Sequence, residues 1–453
     1  MAGRLLDSRL AFLAGAPVAA GLGYAAAMHP FLALAGAGAT VLLLLMLLRA
    51  EALLLVLAAA LPWEGALAYP TESASAVKLL GALLFAGWLV RALVRAEPLR
   101  LSPALGWTAL LGFAVGFSLL LAPNPAESVF DSLRYALFIV FFFLVLQLTH
   151  GAADVRRILR VVVLSSALAA AWGLYGFISG ELDRAAGPIS DANDFTYLMS
   201  CVLPLGGYLL VSERRHRVLW GTCCMLLLGA TLATLSRGAL VGLTALAPWA
   251  IATRRIPVSG LLLGIAAILS MAAIGFALWA PLLQDRLEQK NSIGEKNITA
   301  RQALWSAALR MAEDRPLTGV GPGRFGIEAP AYVRNNPLVL EKPVVHNSYL
   351  QVMAELGALG LFAFIGFLAS SWQLLGRARR HAIAGADEDG RRLTTAMQAA
   401  LIVAIVAGAF LSEHLTTPFW LIGALAAVVG GVPRVAPAAL PVRSSARHVP
   451  AAA

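Results

Sequence analysis

The chain alternates apolar runs with short polar connections. The runs are Leu10–Met28, Phe31–Leu48, Ala52–Leu67, Ala76–Val94, Ala104–Leu121, Val129–Thr149, Val155–Ile178, Phe195–Val211, Val218–Leu235, Gly238–Ala252, Val258–Leu282, Ser348–Leu375, Thr394–Leu411 and Leu415–Val432. Most approach the about 20 residues that an α-helix needs to cross the hydrocarbon core of a bilayer. The pattern predicts an all-α polytopic membrane protein, a bundle of about 12–14 transmembrane helices. Fourteen is the full count, and twelve results if two short early runs do not cross.

The polar positions set the topology. Arginines gather on alternate connections: Arg49; Arg91, Arg95 and Arg100; Arg156, Arg157 and Arg160; Arg214, Arg215 and Arg217; Arg254 and Arg255. The series resumes with Arg377, Arg379, Arg380, Arg391 and Arg392, and ends with Arg434, Arg443 and Arg447. Basic connections stay in the cytoplasm, which predicts cytoplasmic termini. The remaining connections then face outwards, to the periplasm of a bacterial inner membrane. The chain divides into helices over 1–217, a helical hairpin region over 218–282, an outer loop over 283–347, helices over 348–432 and a tail over 433–453.

Composition agrees with this and excludes other classes. The chain is 59% hydrophobic and 13% charged, with a mean hydropathy of +0.77, against roughly 25% charged residues in an ordinary soluble domain. Its net charge of +10 sits in clusters at the ends of apolar runs, which speaks for topology rather than nucleic acid. Cys201, Cys223 and Cys224 lie in apolar runs without metal-ligand spacing, so neither a disulfide framework nor a zinc site is expected. The first run follows Arg4 and Arg9 as in a signal peptide, but a second spanning run comes next without a cleavage pattern, so an uncleaved helix is expected. The Ala/Pro-rich segment from Ala436 to Ala453 reads as disordered.

Between Leu282 and His346 the charge density rises, with nine Lys or Arg and seven Asp or Glu. That length exceeds a mere connector. Thr299 and Gln302 have capping-box spacing, predicting a helix that starts there and runs to about Glu313. Leu304, Ala308 and Met311 would share one face and Trp305, Leu309 and Ala312 an adjacent one, a stripe suited to the membrane interface. Asp314-Arg315-Pro316 ends that helix. The glycine-rich Gly319–Gly326 matches no phosphate-binding loop and reads as a structural turn. Ser348 and Gln351 repeat the capping-box spacing just after His346, whose position predicts a helix N-terminus able to receive negative charge.

Several polar residues stand in costly places. Arg237 sits between two apolar runs on the outer side, against the cytoplasmic bias of basic residues, so a ligand or a snorkelling contact with headgroups is implied. Arg301 has the same two readings. His346 is either a capping histidine or a base that is neutral near pH 7. Asp191, Asn193 and Asp194 lie on an outer connection, Asp194 as the expected helix cap. Glu355, Glu413 and His414 are further polar groups placed to line a cavity.

Together, Ser236-Arg-Gly238, Arg301-Gln-Ala-Leu-Trp305, Arg315-Pro-Leu-Thr-Gly-Val-Gly-Pro-Gly323 and His346-Asn-Ser-Tyr-Leu-Gln351, followed by Glu355-Leu-Gly357, resemble the O-antigen ligase and polymerase superfamily. The resemblance covers Val218 to about Phe367; the first half of the chain is similar only as a string of spans. It implies a GT-C-like membrane glycosyltransferase drawing glycan from an undecaprenyl-pyrophosphate carrier at the periplasmic face. Membership would include ligases acting on lipid A-core, O-antigen polymerases and protein O-oligosaccharyltransferases. The last usually carry a soluble C-terminal region, so a chain ending about twenty residues after its last span is expected to be a ligase or polymerase, with ligase favoured.

The resemblance assigns the functional roles to Arg237, Arg301 and His346. Asn347, Tyr349, Trp305, Arg324, Asp191, Asn193 and Asp194 are the candidate substrate contacts around them. Two guanidiniums can pair with a departing pyrophosphate, and the outer loops lack an Asp-x-Asp pair, so no metal and no cofactor are expected. The competing class is a small-anion transporter, which would be expected to show repeated halves or broken helices at the midplane; no repeat is visible. A structural scaffold is disfavoured by the misplaced arginines.

Overall fold

The computed structural model describes residues 49–67, 75–95, 97–189, 191–255, 257–333 and 343–431, without the side chains of 261 and 278–298. The predicted spans Leu10–Met28 and Phe31–Leu48 and the tail lie outside these residues. Helix α1 covers 49–60, followed by α2 (Ala76–Arg95), α3 (Pro103–Leu121), α4 (Pro125–Leu148), α5 (Ala152–Ile178), α6 (Ala192–Ser212), α7 (Arg217–Ala233), α8 (Arg237–Thr244) and α9 (Leu246–Thr253). Then come α10 (Val258–Asp314), α11 (Phe325–Tyr332), α12 (Ser348–Ala384), α13 (Glu388–Gly408) and α14 (Thr417–Val429). No strand occurs among the described residues, and nine of their helices are long and apolar enough to cross a membrane. The protein is a multi-pass α-helical membrane protein.

Two spans depart from the sequence pattern. Ala52–Leu67 gives an α-helix only to 60, because Pro62 tightens the end into a 3-10 turn, Leu61–Trp63. Gly238–Ala252 is two helices joined at Ala245. Pro248 has no N–H for the carbonyl of Thr244 and its ring crowds that group, so the helix breaks there.

The largest correction concerns α10. No helix starts at Thr299: one helix of 57 residues continues from Val258 through Leu282 to Asp314. Residues 283–298 are mostly good helix formers, and the single Gly294 costs only about 1 kcal/mol, too little to stop a helix already running. A capping pair acts only where the chain enters a helix, and at Thr299 the chain is already inside one.

The core centres on α14, which is shorter than a span but buried almost throughout. Trp420 stacks on Phe367 of α12 and Phe138 of α4, with ring centroids 5.4 and 5.7 Å apart. Small residues bring backbones close, as they must where lipid supplies no hydrophobic drive between helices. Gly366 lies under the ring of Trp107, and a Cβ there would come within 2.2 Å of it.

The basic connections meet at one end of the bundle. Arg156 pairs with Asp389 at 2.9 Å, and the Tyr208 hydroxyl donates to the same carboxylate. Arg160 and the Trp220 indole both donate to Glu213, at 2.6 and 3.1 Å. Arg255 donates to Gln398 at 2.6 Å.

At the opposite end α12 is interrupted. Gly357 adopts φ +65°, ψ −166°, a conformation open to glycine alone. The break exposes backbone groups that a lipid-embedded helix cannot leave unpaired, and the segment Pro316–Gly323 supplies the partners. Val320 N–H donates to the Ala354 carbonyl at 2.9 Å, Gly321 N–H to the Glu355 carbonyl at 3.1 Å, and Ala358 N–H to the Pro316 carbonyl at 2.7 Å. The glycine-rich stretch is thus the structural turn its sequence indicated. Its glycines permit close approach: a Cβ on Gly319 would lie 2.4 Å from the Glu355 carbonyl carbon.

Candidate active site

Three helix starts build the site end. At α6, Asp191 is the N-cap, its Oδ1 accepting from the Asn193 and Asp194 amides at 2.5 and 3.3 Å. This corrects the expectation for Asp194, which lies inside the first turn while Asp191 has the extended conformation of a cap. Asn193 faces sideways, its Oδ1 accepting from Arg184 at 3.0 Å and from the Ser236 hydroxyl at 3.2 Å. Leu235, at φ +53°, turns the chain into Ser236 and α8. Arg237 therefore opens α8 with an exposed side chain, next to the residue that is bonded to Asn193.

The third start carries His346. Here too the expected capping box is replaced: Asn347 is the N-cap, its Oδ1 accepting from the Tyr349 and Leu350 amides, each at 3.0 Å. Ser348 instead ties two elements together, donating to the Leu411 carbonyl at 2.8 Å and accepting from the Glu413 amide at 2.7 Å. Gln351 donates to Glu355 at 3.1 Å. The other Glu355 oxygen accepts from Gly323 N–H at 3.0 Å.

On the N-terminal side of His346, the Trp305 indole donates to the Val345 carbonyl at 3.0 Å. His346 is fixed between that bond and the Asn347 cap, with φ +53°. A left-handed histidine is uncommon and carries strain that the surrounding contacts must hold. The expected membrane stripe of α10 serves this purpose instead: Leu304, Ala308 and Met311 are buried in a small core with Val320, Phe325 and Val345. A face packed on protein cannot rest on lipid.

Electrostatics bring Arg301 to the same place. Burial, reinforced by the nearby Arg301 charge and opposed by Asp191, pushes the His346 imidazole down to about 4. It is therefore neutral at pH 7. Burial also lowers Arg301 from the ordinary arginine value.

His346, Asn193, Asp194 and Asp191 all line a cavity of about 230 Å³, together with Gln351, Glu355, Glu413 and His414. A larger groove of about 370 Å³, lined mainly by apolar side chains, shares Arg134, Asp194, Leu415 and Thr416 with it.

Other sequence candidates have structural partners. Arg324 is 3% exposed and bound to Glu328 and, at 2.5 Å, to Glu127, away from the cavity lining. The Tyr349 hydroxyl donates to the Ile405 carbonyl at 2.7 Å. Arg184, for which the sequence carries no motif, is a basic residue at the same end of the bundle as Ser236 and Asn193. Its Nε donates to the Thr234 carbonyl at 2.7 Å.

A multi-pass membrane protein with a buried histidine, the charge of Arg301 near it and a polar cavity at one end of its bundle is the class that fold and site define. Residues 222–365 match the family model for O-antigen ligase, a stretch that contains every motif behind the resemblance noted in the sequence. The match supports the O-antigen ligase and polymerase superfamily, hence a glycosyltransferase-like enzyme with lipid-linked polysaccharide substrates. No curated protein matches the chain.

Proposed function

We propose that the protein is an O-antigen ligase, moving glycan from undecaprenyl pyrophosphate to lipid A-core at the periplasmic face of the inner membrane. The observation that carries the mechanism is the neutral His346, held in a strained turn beside Arg301 at a polar cavity. The acceptor hydroxyl attacks the anomeric carbon and gives its proton to His346. The new C–O bond forms as the bond to the pyrophosphate oxygen breaks, with inversion, and the pyrophosphate leaves with the electron pair. Arg301 and Arg237 pair with the charge that develops on it. No metal is required by this scheme.

Once the Arg301 charge is matched by pyrophosphate, one of the two causes that depress His346 is cancelled, so donor binding makes the histidine a better base. The apolar groove beside the cavity gives a lipid-borne substrate room for its chain. Positioning of two membrane-anchored substrates supplies much of the remaining acceleration.

The test is transfer of glycan to lipid A-core in membranes with lipid-linked donor. His346→Ala should reduce transfer at least 100-fold, within the about 10²–10⁴ that a general base contributes, and chelator should leave the wild type active. Full activity of His346→Ala would remove the base, and strong inhibition by chelator would contradict the metal-free scheme. Loss of all capped core on deletion of the gene supports the ligase; retention of single O-units with loss of long chains means a polymerase.

A further inference from the structure

The cavity differs chemically from the arginines beside it. Five carboxyl side chains line it, those of Asp131, Asp191, Asp194, Glu355 and Glu413, against the single guanidinium of Arg134. Part of this charge is already used: Asp191 caps α6, Glu355 holds Gly323 and Gln351, and Asp131 pairs with Arg134 at 3.1 Å. Glu413, 1% exposed, shares a hydrogen bond with Asp194; burial and that neighbouring carboxylate hold it well above the usual carboxyl range.

What remains is a set of open valences. Among the described residues, Glu413 Oε2, Gln351 Oε1 and both ring nitrogens of His414 have no hydrogen-bond partner, although His414 is only 4% exposed. Buried polar atoms left unpaired are costly, and all four line one cavity. They are mainly acceptors, with an imidazole N–H among them, and a hydroxyl can both give and take a hydrogen bond. At about 30 Å³ per water, 230 Å³ has room for about seven water-sized groups: one sugar ring with its hydroxyls rather than a drug-sized ligand. An anionic sugar would meet like charge.

We propose that this cavity receives the acceptor sugar that bears the attacking hydroxyl, with Glu413, Gln351 and His414 as its hydrogen-bond partners, and that it selects a neutral sugar. The assignment rests on the glycosyl-transfer reading above and separates the two substrates: pyrophosphate on the arginine side, acceptor on the carboxyl side, His346 between them. Glu413 and His414 lie outside the stretch that matches the family model and Gln351 inside it, so the subsite is assembled from both parts of the chain.

The experiment uses full-length protein in proteoliposomes, varying lipid-linked donor and lipid A-core acceptor separately. His414→Phe and Glu413→Met keep the shape and remove the hydrogen bonds. Each should raise the acceptor KM at least 10-fold while the donor KM stays within 2-fold. Replacing the acceptor's terminal neutral hexose by a uronic acid should lower kcat/KM at least 10-fold with the wild type. If thermal unfolding in detergent shows a variant misfolded, half-buried Gln351→Met carries the same expectation. An unchanged acceptor KM in folded variants, or a donor KM that rises in step, would overturn the subsite, meaning that the cavity holds only water, while wild-type transfer leaves the enzyme reading intact. Absence of transfer by the wild type would sink that reading and the subsite with it.

Discussion

The two ends of the bundle treat polar side chains differently. At the basic end they are matched to one another: Arg156 and Tyr208 converge on Asp389, and Arg160 and Trp220 on Glu213. At the other end the polar groups are more deeply buried yet incompletely paired, His414 and Glu413 above all. Polar groups in a membrane protein are expensive wherever they lie. Single atoms are unpaired at the basic end too, Arg91 Nε, Ser212 Oγ and Arg379 Nε among them, but at the site end the open groups of Gln351, Glu413 and His414 gather in one cavity, where a substrate can supply the missing partners.

The strongest way to break this contrast is to fill the site end. Gly323 has φ +70°, and a Cβ there would stand 2.0 Å from Asp131 Oδ2. Gly323→Ala should cost about 3 kcal/mol or more in stability, combining left-handed strain with overpacking. It should also abolish transfer, because the Gly323 amide holds Glu355. Thermal unfolding in detergent and the transfer assay check both. At the basic end, Asp389→Asn should cost under about 1 kcal/mol, since the pair is 32% and 40% exposed. Transfer should stay within 2-fold of wild type; a large loss would mean that this end too serves the reaction.

The sequence made most of the bundle legible because span length and arginine placement are simple physical requirements. Each of the twelve predicted spans within the described residues falls on a helix or a helix pair, although Ala52–Leu67 is α-helical only to 60 and Val258–Leu282 runs on to Asp314. Arg301 and His346 were also legible, being polar in costly places and set in recognisable motifs. Capping was read less well. At three places, Thr299, Asp194 and Ser348, the residue type suits a cap, but the helix starts earlier or a neighbour caps it. Capping chemistry reports which residues are able to cap, while the tertiary contacts decide which one does. The break at Gly357 was invisible for a related reason: a glycine in an apolar run looks tolerable until a distant turn is found docked against it. The carboxyl cavity draws on residues from 131 to 416, a juxtaposition that no local pattern contains.

The account depends on a neutral His346 tuned by its surroundings, and the acid limb of kcat/KM reads that group directly in the free enzyme. The base works only unprotonated, so activity is lost as pH falls through its pKa, which is about 4 here against an ordinary 6.5. Wild-type kcat/KM should stay level from pH 8 to about 5 and fall towards pH 4. In Arg301→Gln, whose overall rate is lower, the limb should move upwards, part of the way to 6.5, because burial remains while the neighbouring charge is gone. A wild-type limb near 6.5, or one that Arg301→Gln leaves in place, would contradict the pairing of His346 with Arg301.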